Sequence, residues 1–221
     1  MSVPGGRPVL HVEGRDDQHT VIQLLGRHGW SFDEPDRPVE IKAAGDLEGL
    51  LESIAVAVKA SAMGAVGFVV DADIAVRDRW QRLAHQLKPL GLNLPDDPPA
   101  DGFIGVVVAL RARVGVWIMP DNKTDFGQLE HLIKTLVPVG DCLFPHAEQA
   151  TDCAKGLGAA FSDVDRLKAV LHTWLAWQKR PGCPYGTAIK AHFLSHDSDN
   201  AKRFVSWFNR LFGQFHAEAG S

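Results

Sequence analysis

Short apolar runs alternate along this chain with longer stretches in which apolar residues return every three or four positions. Pro8 to Gly14, PVLHVEG, reads as a strand stopped by a glycine, and DDQHTVIQLLGRHG follows with Val21, Ile22, Leu24 and Leu25 at helical spacing. A second run, 39–43, precedes DLEGLLESIAVAVKASA, where Asp46 stands at a capping position before a helix carrying Leu47, Leu50, Leu51, Ile54 and Val58. The run Ala65 to Asp73, AVGFVVDAD, is nearly unbroken, as a strand buried on both faces requires, and it stops in acid. VRDRWQRLAHQLKPLG, 76–91, predicts a helix with Trp80, Leu83, Leu87 and Leu90 on one side and arginines on the other. The proline-rich stretch 93–102 predicts a surface loop. Phe103 to Leu110 and Val114 to Met119, parted by a polar turn at 111–113, predict a hairpin, and GQLEHLIKTLV predicts a helix starting near Gly127.

Strands alternating with helices predict an α/β domain with a mainly parallel central sheet flanked by helices over residues 1–137. Residues 138–221 read as a helical extension packed on the same domain: PHAEQATDCAKGL, then 162–179 with Val164, Leu167, Val170, Leu171, Trp174 and Leu175, then 200–212. The tail RFVSWFNRLF is amphipathic, a pattern shared by membrane-surface helices. Packing against the sheet is the stronger expectation, because nothing else nearby covers the second face. Trp174, Trp177, Trp207 and Phe208 sit at helical spacing and read as core rather than as platforms for stacking bases.

Composition narrows the class. Of the 221 residues, 45% are hydrophobic and 23% charged, values that argue against a disordered, collagen-like or disulfide-scaffold chain. A net charge of −4 means that any polyanion must be held by a local patch or a metal. No apolar run approaches the length of a membrane span, and the opening MSVPGGRPVL lacks the features of a secretory leader, so a cytoplasmic protein without a membrane partner is expected. Three cysteines, Cys142, Cys153 and Cys183, form no CxxC pair.

The candidate chemistry lies at strand ends. In an open α/β sheet, ligands bind beyond the carboxyl ends of the strands, where Glu13, Asp71 and Asp73 fall, with Asp121 after a further strand. Clustered carboxylates repel unless protons or a cation neutralise them, and several hard oxygens suit Mg²⁺ or Mn²⁺. If Asp71 and Asp73 both remained in the extended strand, they would lie on one side of it. The bland alternative is that such aspartates only cap the following helix. Glu130 is a weaker candidate on a helix that either faces the site or is solvated, and His19, His28, His192 and His196 form no ligating motif. Phosphate contacts would need cations: Arg77 and Arg79, with Arg82, follow the DAD sequence, and Lys190, near Lys179 and Arg180, sits inside an apolar stretch. Solvated helix faces would look the same.

VEGRDD at 12–17 and VVDAD at 69–73 resemble the two signature motifs of TOPRIM domains, a glutamate and glycine ending one strand and a DxD ending a later one. With GVWIMPDN, GQLEHLI and PYGTAIKAHFL, the chain over about 8–212 is similar to a bacterial family of small TOPRIM-related proteins that is a domain of unknown function. The resemblance implies a Mg²⁺-dependent fold in which Glu13 acts as general acid/base or ligand and Asp71 and Asp73 bind metal. It also implies a role for Asp17, or for its neighbour Asp16, as a further acidic position. Tyr185 is the only tyrosine and a topoisomerase needs its nucleophile in further domains; there is no four-cysteine site, and no GxxxxGK[ST] for an attached ATPase. The resulting expectation is a stand-alone metal-dependent nuclease acting on DNA or RNA. Two classes compete with it: a non-catalytic module that binds nucleic acid or a partner protein in a defence or repair complex, and a DxD phosphatase or glycosyltransferase.

Overall fold

The computed structural model describes residues 7–33 and 37–219; the residues MSVPGG, on which the expectation about a leader partly rests, lie outside them. Five strands form one sheet: β1 (Val9–Val12), β2 (Glu40–Ala43), β3 (Ala65–Asp71), β4 (Phe103–Val107) and β5 (Ala112–Met119), in the order β2-β1-β3-β5-β4. All neighbours pair parallel except β4, which returns antiparallel along β5. The hairpin is shorter than its apolar pattern: Val108–Leu110 form a turn of 3-10 helix, and Arg111 takes a left-handed φ of 51° before β5 starts. The helices are α1 (Arg15–Arg27), α2 (Leu47–Ala60), α3 (Val76–Leu87), α4 (Leu129–Thr135), α5 (Leu143–Gly156), α6 (Arg166–Ala176), α7 (Tyr185–Lys190) and α8 (Asp199–Ala219).

Local chemistry sets several of these boundaries. The Asp46 carboxylate accepts from the amide of Gly49 at 2.8 Å and caps α2. α3 gives way to a 3-10 turn over Lys88–Leu90, which Gly91 closes at φ 82°, a conformation that costs glycine no Cβ clash. YGTAIK forms the short helix α7, with Pro184 at its N-cap.

Side chains alternate between two cores, as the period of two along a strand demands. Val66, Phe68 and Val70 of β3 and Val114, Val116 and Ile118 of β5 meet α2 and α3. Leu10, Val12, Val69, Trp117 and Met119 face the other side, where α1 and α4 to α8 gather. The helices after residue 137 therefore share the core of the strands. α8 lies across this second face with Phe204, Trp207, Phe208, Leu211 and Phe212 buried, and Trp207 Nε1 donates to the Phe103 carbonyl at 3.0 Å. Its approach depends on two glycines paired in register, Gly67 and Gly115. A Cβ on Gly67 would stand 2.6 Å from Leu10 Cδ1 and 3.0 Å from Leu211 Cδ2, and one on Gly115 would collide with Leu211. Among the described residues no helix is long and apolar enough to cross a membrane.

Candidate functional site

Because β1, β3 and β5 run parallel, their carboxyl ends reach one edge. Val12 pairs with Val69 and Asp71 with Met119, which brings Glu13, Asp71 and the segment leading to Asp121 to that edge. Glu13 Oε1 accepts the backbone N–H of Asp71 at 2.8 Å, so the first acid is fastened to the strand that carries the second. Asp17, in the first turn of α1, folds its Oδ2 back onto the amide of Gly14 at 3.0 Å, whereas Asp16 is exposed. Both line a cavity of about 290 Å³ together with Asp71, Glu130 and Lys168.

Electrostatics inside this edge are unbalanced. Burial raises the Glu13 carboxyl to about 7, against the hydrogen bond from Asp71 and the attraction of Arg79. Burial likewise lifts Asp17 to about 6, and Glu130 and Asp16 add to the rise. Asp71 is pushed well above the usual carboxylate range, by burial first and then by Asp17, Glu13, Glu130 and Asp73. Its Oδ1 is shielded from solvent and has no hydrogen-bond partner. A buried anionic oxygen left bare is costly unless a proton or cation meets it. That atom, beside three more carboxylates, fits a hard divalent cation in donor type. The fit is one of donor chemistry: among the described residues no three His, Cys, Asp or Glu side chains stand in an arrangement ready to hold an ion.

Glu130, the weaker candidate of the sequence, is buried and central. Lys168 Nζ lies 3.2 Å from its Oε1, and the Tyr185 hydroxyl is 3.5 Å from the same oxygen. Glu130 in turn raises the Lys168 ammonium above its ordinary value, and burial drives the Tyr185 phenol upward. Tyr185 reaches this point because α7 lies tight on α1: a Cβ on Gly186 would stand 2.7 Å from the His19 carbonyl oxygen. Sequence reasoning missed Lys168, whose only signal was membership of an amphipathic helix far along the chain from the DAD sequence.

Other candidates lie differently. Asp73 does not continue the strand: its φ is 51°, its amide donates to the Gly127 carbonyl at 3.0 Å, and its carboxylate pairs with Arg79. The condition for strand alternation to set it beside Asp71, an extended strand through both residues, is not met, since β3 ends at Asp71. Arg79, read as an outward arginine, is buried with its side chain 6% exposed, because the left-handed turn at Asp73 carries the acid to it. Asp121 does not line the acid cavity; its oxygens accept from the amides of Lys123 and Thr124 and from the Thr124 hydroxyl. Arg77 pairs with Asp97 on the surface, Arg82 with Glu48, and Lys190 is exposed at the end of α7. Trp177 is partly exposed beside His146, whereas Trp174, Trp207 and Phe208 are core.

Fold and site together define an α/β protein with a five-stranded, mostly parallel sheet and an acid-lined cavity at the carboxyl edge of its central strands. The chain belongs to the family described as "Protein of unknown function (DUF3226)", whose model matches residues 7–213. No curated protein and no solved structure matches it.

Proposed function

We propose that the acid-lined cavity is the centre of a divalent-metal-dependent phosphodiesterase acting on nucleic acid, related to TOPRIM domains. The observation that carries the reading is Asp71 Oδ1, a buried carboxylate oxygen without a partner, next to Glu13, Asp17 and Glu130. Asp71, Asp17 and Glu13 would hold Mg²⁺ or Mn²⁺. When bound, such an ion polarises a phosphoryl oxygen and acidifies water. Glu13, raised to about 7, does not line the cavity and gives Oε1 to the Asp71 amide beside it; its other oxygen would accept a proton from an attacking water or return one to a leaving oxygen at neutral pH. Lys168 on the cavity wall places a positive charge where a phosphate would enter, and Glu130 with Tyr185 keeps that ammonium in position.

One observation favours the second reading, a binding module without catalysis: Asp73 already has a cation in Arg79. The experiment that separates them is a panel of single- and double-stranded DNA and RNA incubated with Mg²⁺ or Mn²⁺, run beside Glu13→Gln. Metal-dependent cutting that falls by about a hundredfold or more in the variant, with substrate binding kept, supports the enzyme. Binding with no cutting on any substrate supports the module, and cutting that is indifferent to Glu13 removes the proposed role of this site.

A further inference from the structure

Next to the acid cavity lies a larger one of about 800 Å³ whose walls are of another kind. Three segments serve both. The segment closing β3 gives its last residue, Asp71, to the first and Asp73, two residues beyond the strand, to the second; α4 gives Glu130 to the first and His131 to the second, and α6 gives Lys168 and Leu167 respectively. The two cavities are therefore neighbours. The larger is walled by Ile74, Phe126, Val164 and Leu167, of which Ile74 is 76%, Phe126 67% and Val164 73% exposed.

Exposed apolar side chains on loops are ordinarily mobile, but these loops are tied. The Asp73 amide donates to the Gly127 carbonyl at 3.0 Å, and the Val76 amide donates to Asp125 Oδ1 at 2.8 Å. Both bonds join the loop after β3 to the loop after β5, on either side of Ile74 and Phe126. Phe126 itself has a φ of 58°, unfavourable for a bulky side chain and sustained only where the surroundings impose it. A strained backbone thus presents an aromatic ring to solvent at the mouth of a cavity.

The chemistry of the walls selects the occupant. A phosphate is unsuited, since the one cation on the wall, Arg166, is engaged in two bonds of 2.7 Å to Asp152, and the wall's carboxylates, Asp73 and Asp163, already face Arg79 and Lys155. A flat, neutral ring with polar edges is suited: Phe126 and Ile74 offer faces, and at the rim the exposed carboxylate of Asp163, 3.6 Å from Lys155 Nζ, has acceptor capacity left for an amino group. His131 Nδ1 accepts the amide of Gln128 at 3.2 Å, which leaves the proton of the neutral ring on Nε2, free to donate. The volume lies in the range of small-molecule sites of mixed apolar and polar lining.

We infer that this cavity receives an unstacked nucleobase, stacked on Phe126, of a single strand whose adjoining phosphate lies at the acid cavity. The inference rests on the proposed function for its substrate class and narrows that class to single-stranded or frayed nucleic acid, because a base within a duplex cannot leave its stack without cost.

The test uses short single-stranded DNA and RNA oligonucleotides carrying one 2-aminopurine, and the same sequences as duplexes, with binding read by anisotropy and stacking by 2-aminopurine fluorescence. Cutting in Mg²⁺ is scored separately. Wild-type protein is expected to bind single strands in preference to duplexes and to quench the probe. Phe126→Ala should abolish the quench and weaken binding about tenfold or more, the scale of one lost stacking contact. Phe126→Trp should retain both, and Ile74→Ser should weaken binding with the fold intact by circular dichroism. Equal affinity for duplex and single strand, an unquenched probe, affinity indifferent to Phe126→Ala, or no binding of any oligonucleotide each overturns the inference. Quenched, Phe126-dependent binding without cutting upholds it while removing the proposed hydrolysis. Cutting that ignores Phe126 does the reverse.

Discussion

The backbone amide of Asp71 donates to Glu13 Oε1 at 2.8 Å, so the acid that follows β1 is held by the residue that ends β3. This bond joins positions 58 apart in sequence and orients Glu13 beside a carboxylate that it repels. The edge is thereby preorganised and electrostatically strained, and its responses to protons and cations follow.

In metal-free buffer, stability should fall as pH rises. Glu13 and Asp17 move from ordinary values of 4.5 and 3.8 to about 7 and about 6 in the fold, and Asp71 rises too. Between these limits the native state binds more protons than the unfolded chain, so this contribution is full below about 4 and is lost as pH passes through 6 and 7. Thermal unfolding with chelator at pH 5 and pH 8 should give a wild-type difference that Asp71→Asn reduces by about 3 °C or more. An equal pH response in both proteins would contradict the electrostatic account.

Divalent cations should act in the opposite direction. At a hundredfold excess over the dissociation constant, Mg²⁺ or Mn²⁺ should add about 2.7 kcal/mol, a rise in Tm of roughly 5–10 °C for a chain of this size. Asp71→Asn combined with Asp17→Asn should remove the rise and leave the metal-free protein as stable as before or more so. Calorimetry that finds the same response in wild type and variant would place the ion elsewhere.

Lys168 is expected to matter more than the surface cations singled out from sequence. Lys168→Ala leaves the buried Glu130 without its ion pair and strips the cavity wall of positive charge. Cutting or binding should drop about tenfold or more and recover in Lys168→Arg, whereas Lys190→Ala should change affinity only slightly. If Lys190→Ala proves the more damaging in a side-by-side titration, the substrate approaches from another face.

The glycine pair under α8 gives a test of the fold alone. Gly115→Ala forces a methyl into Leu211 and should cost about 1–3 kcal/mol in denaturant unfolding. Adding Leu211→Ala should recover part of that loss if the clash is its cause, and no recovery would place the strain elsewhere.

Much of this architecture was legible because it repeats locally. The run AVGFVV has the length and β-branched content of a doubly buried strand, Asp46 stands where a helical stripe wants a cap, and acids that end parallel strands share an edge. Glu13 and Asp71 could thus be named from positions along one dimension, whereas Asp17, with Asp16 beside it, was named only through the resemblance to TOPRIM motifs. What the chain's pattern could not contain were encounters between distant segments. Lys168 and Tyr185 arrive at Glu130 from α6 and α7, and neither has a local signature, since an amphipathic stripe says which face is buried but not against what. Two dihedrals decided the rest: the positive φ at Asp73 turns its carboxylate away from strand alternation and toward Arg79, and that at Phe126 presents the ring to solvent. Periodicity assumes a regular backbone, so residues at which the backbone leaves its regular form become visible only when the neighbours that hold them there are in place.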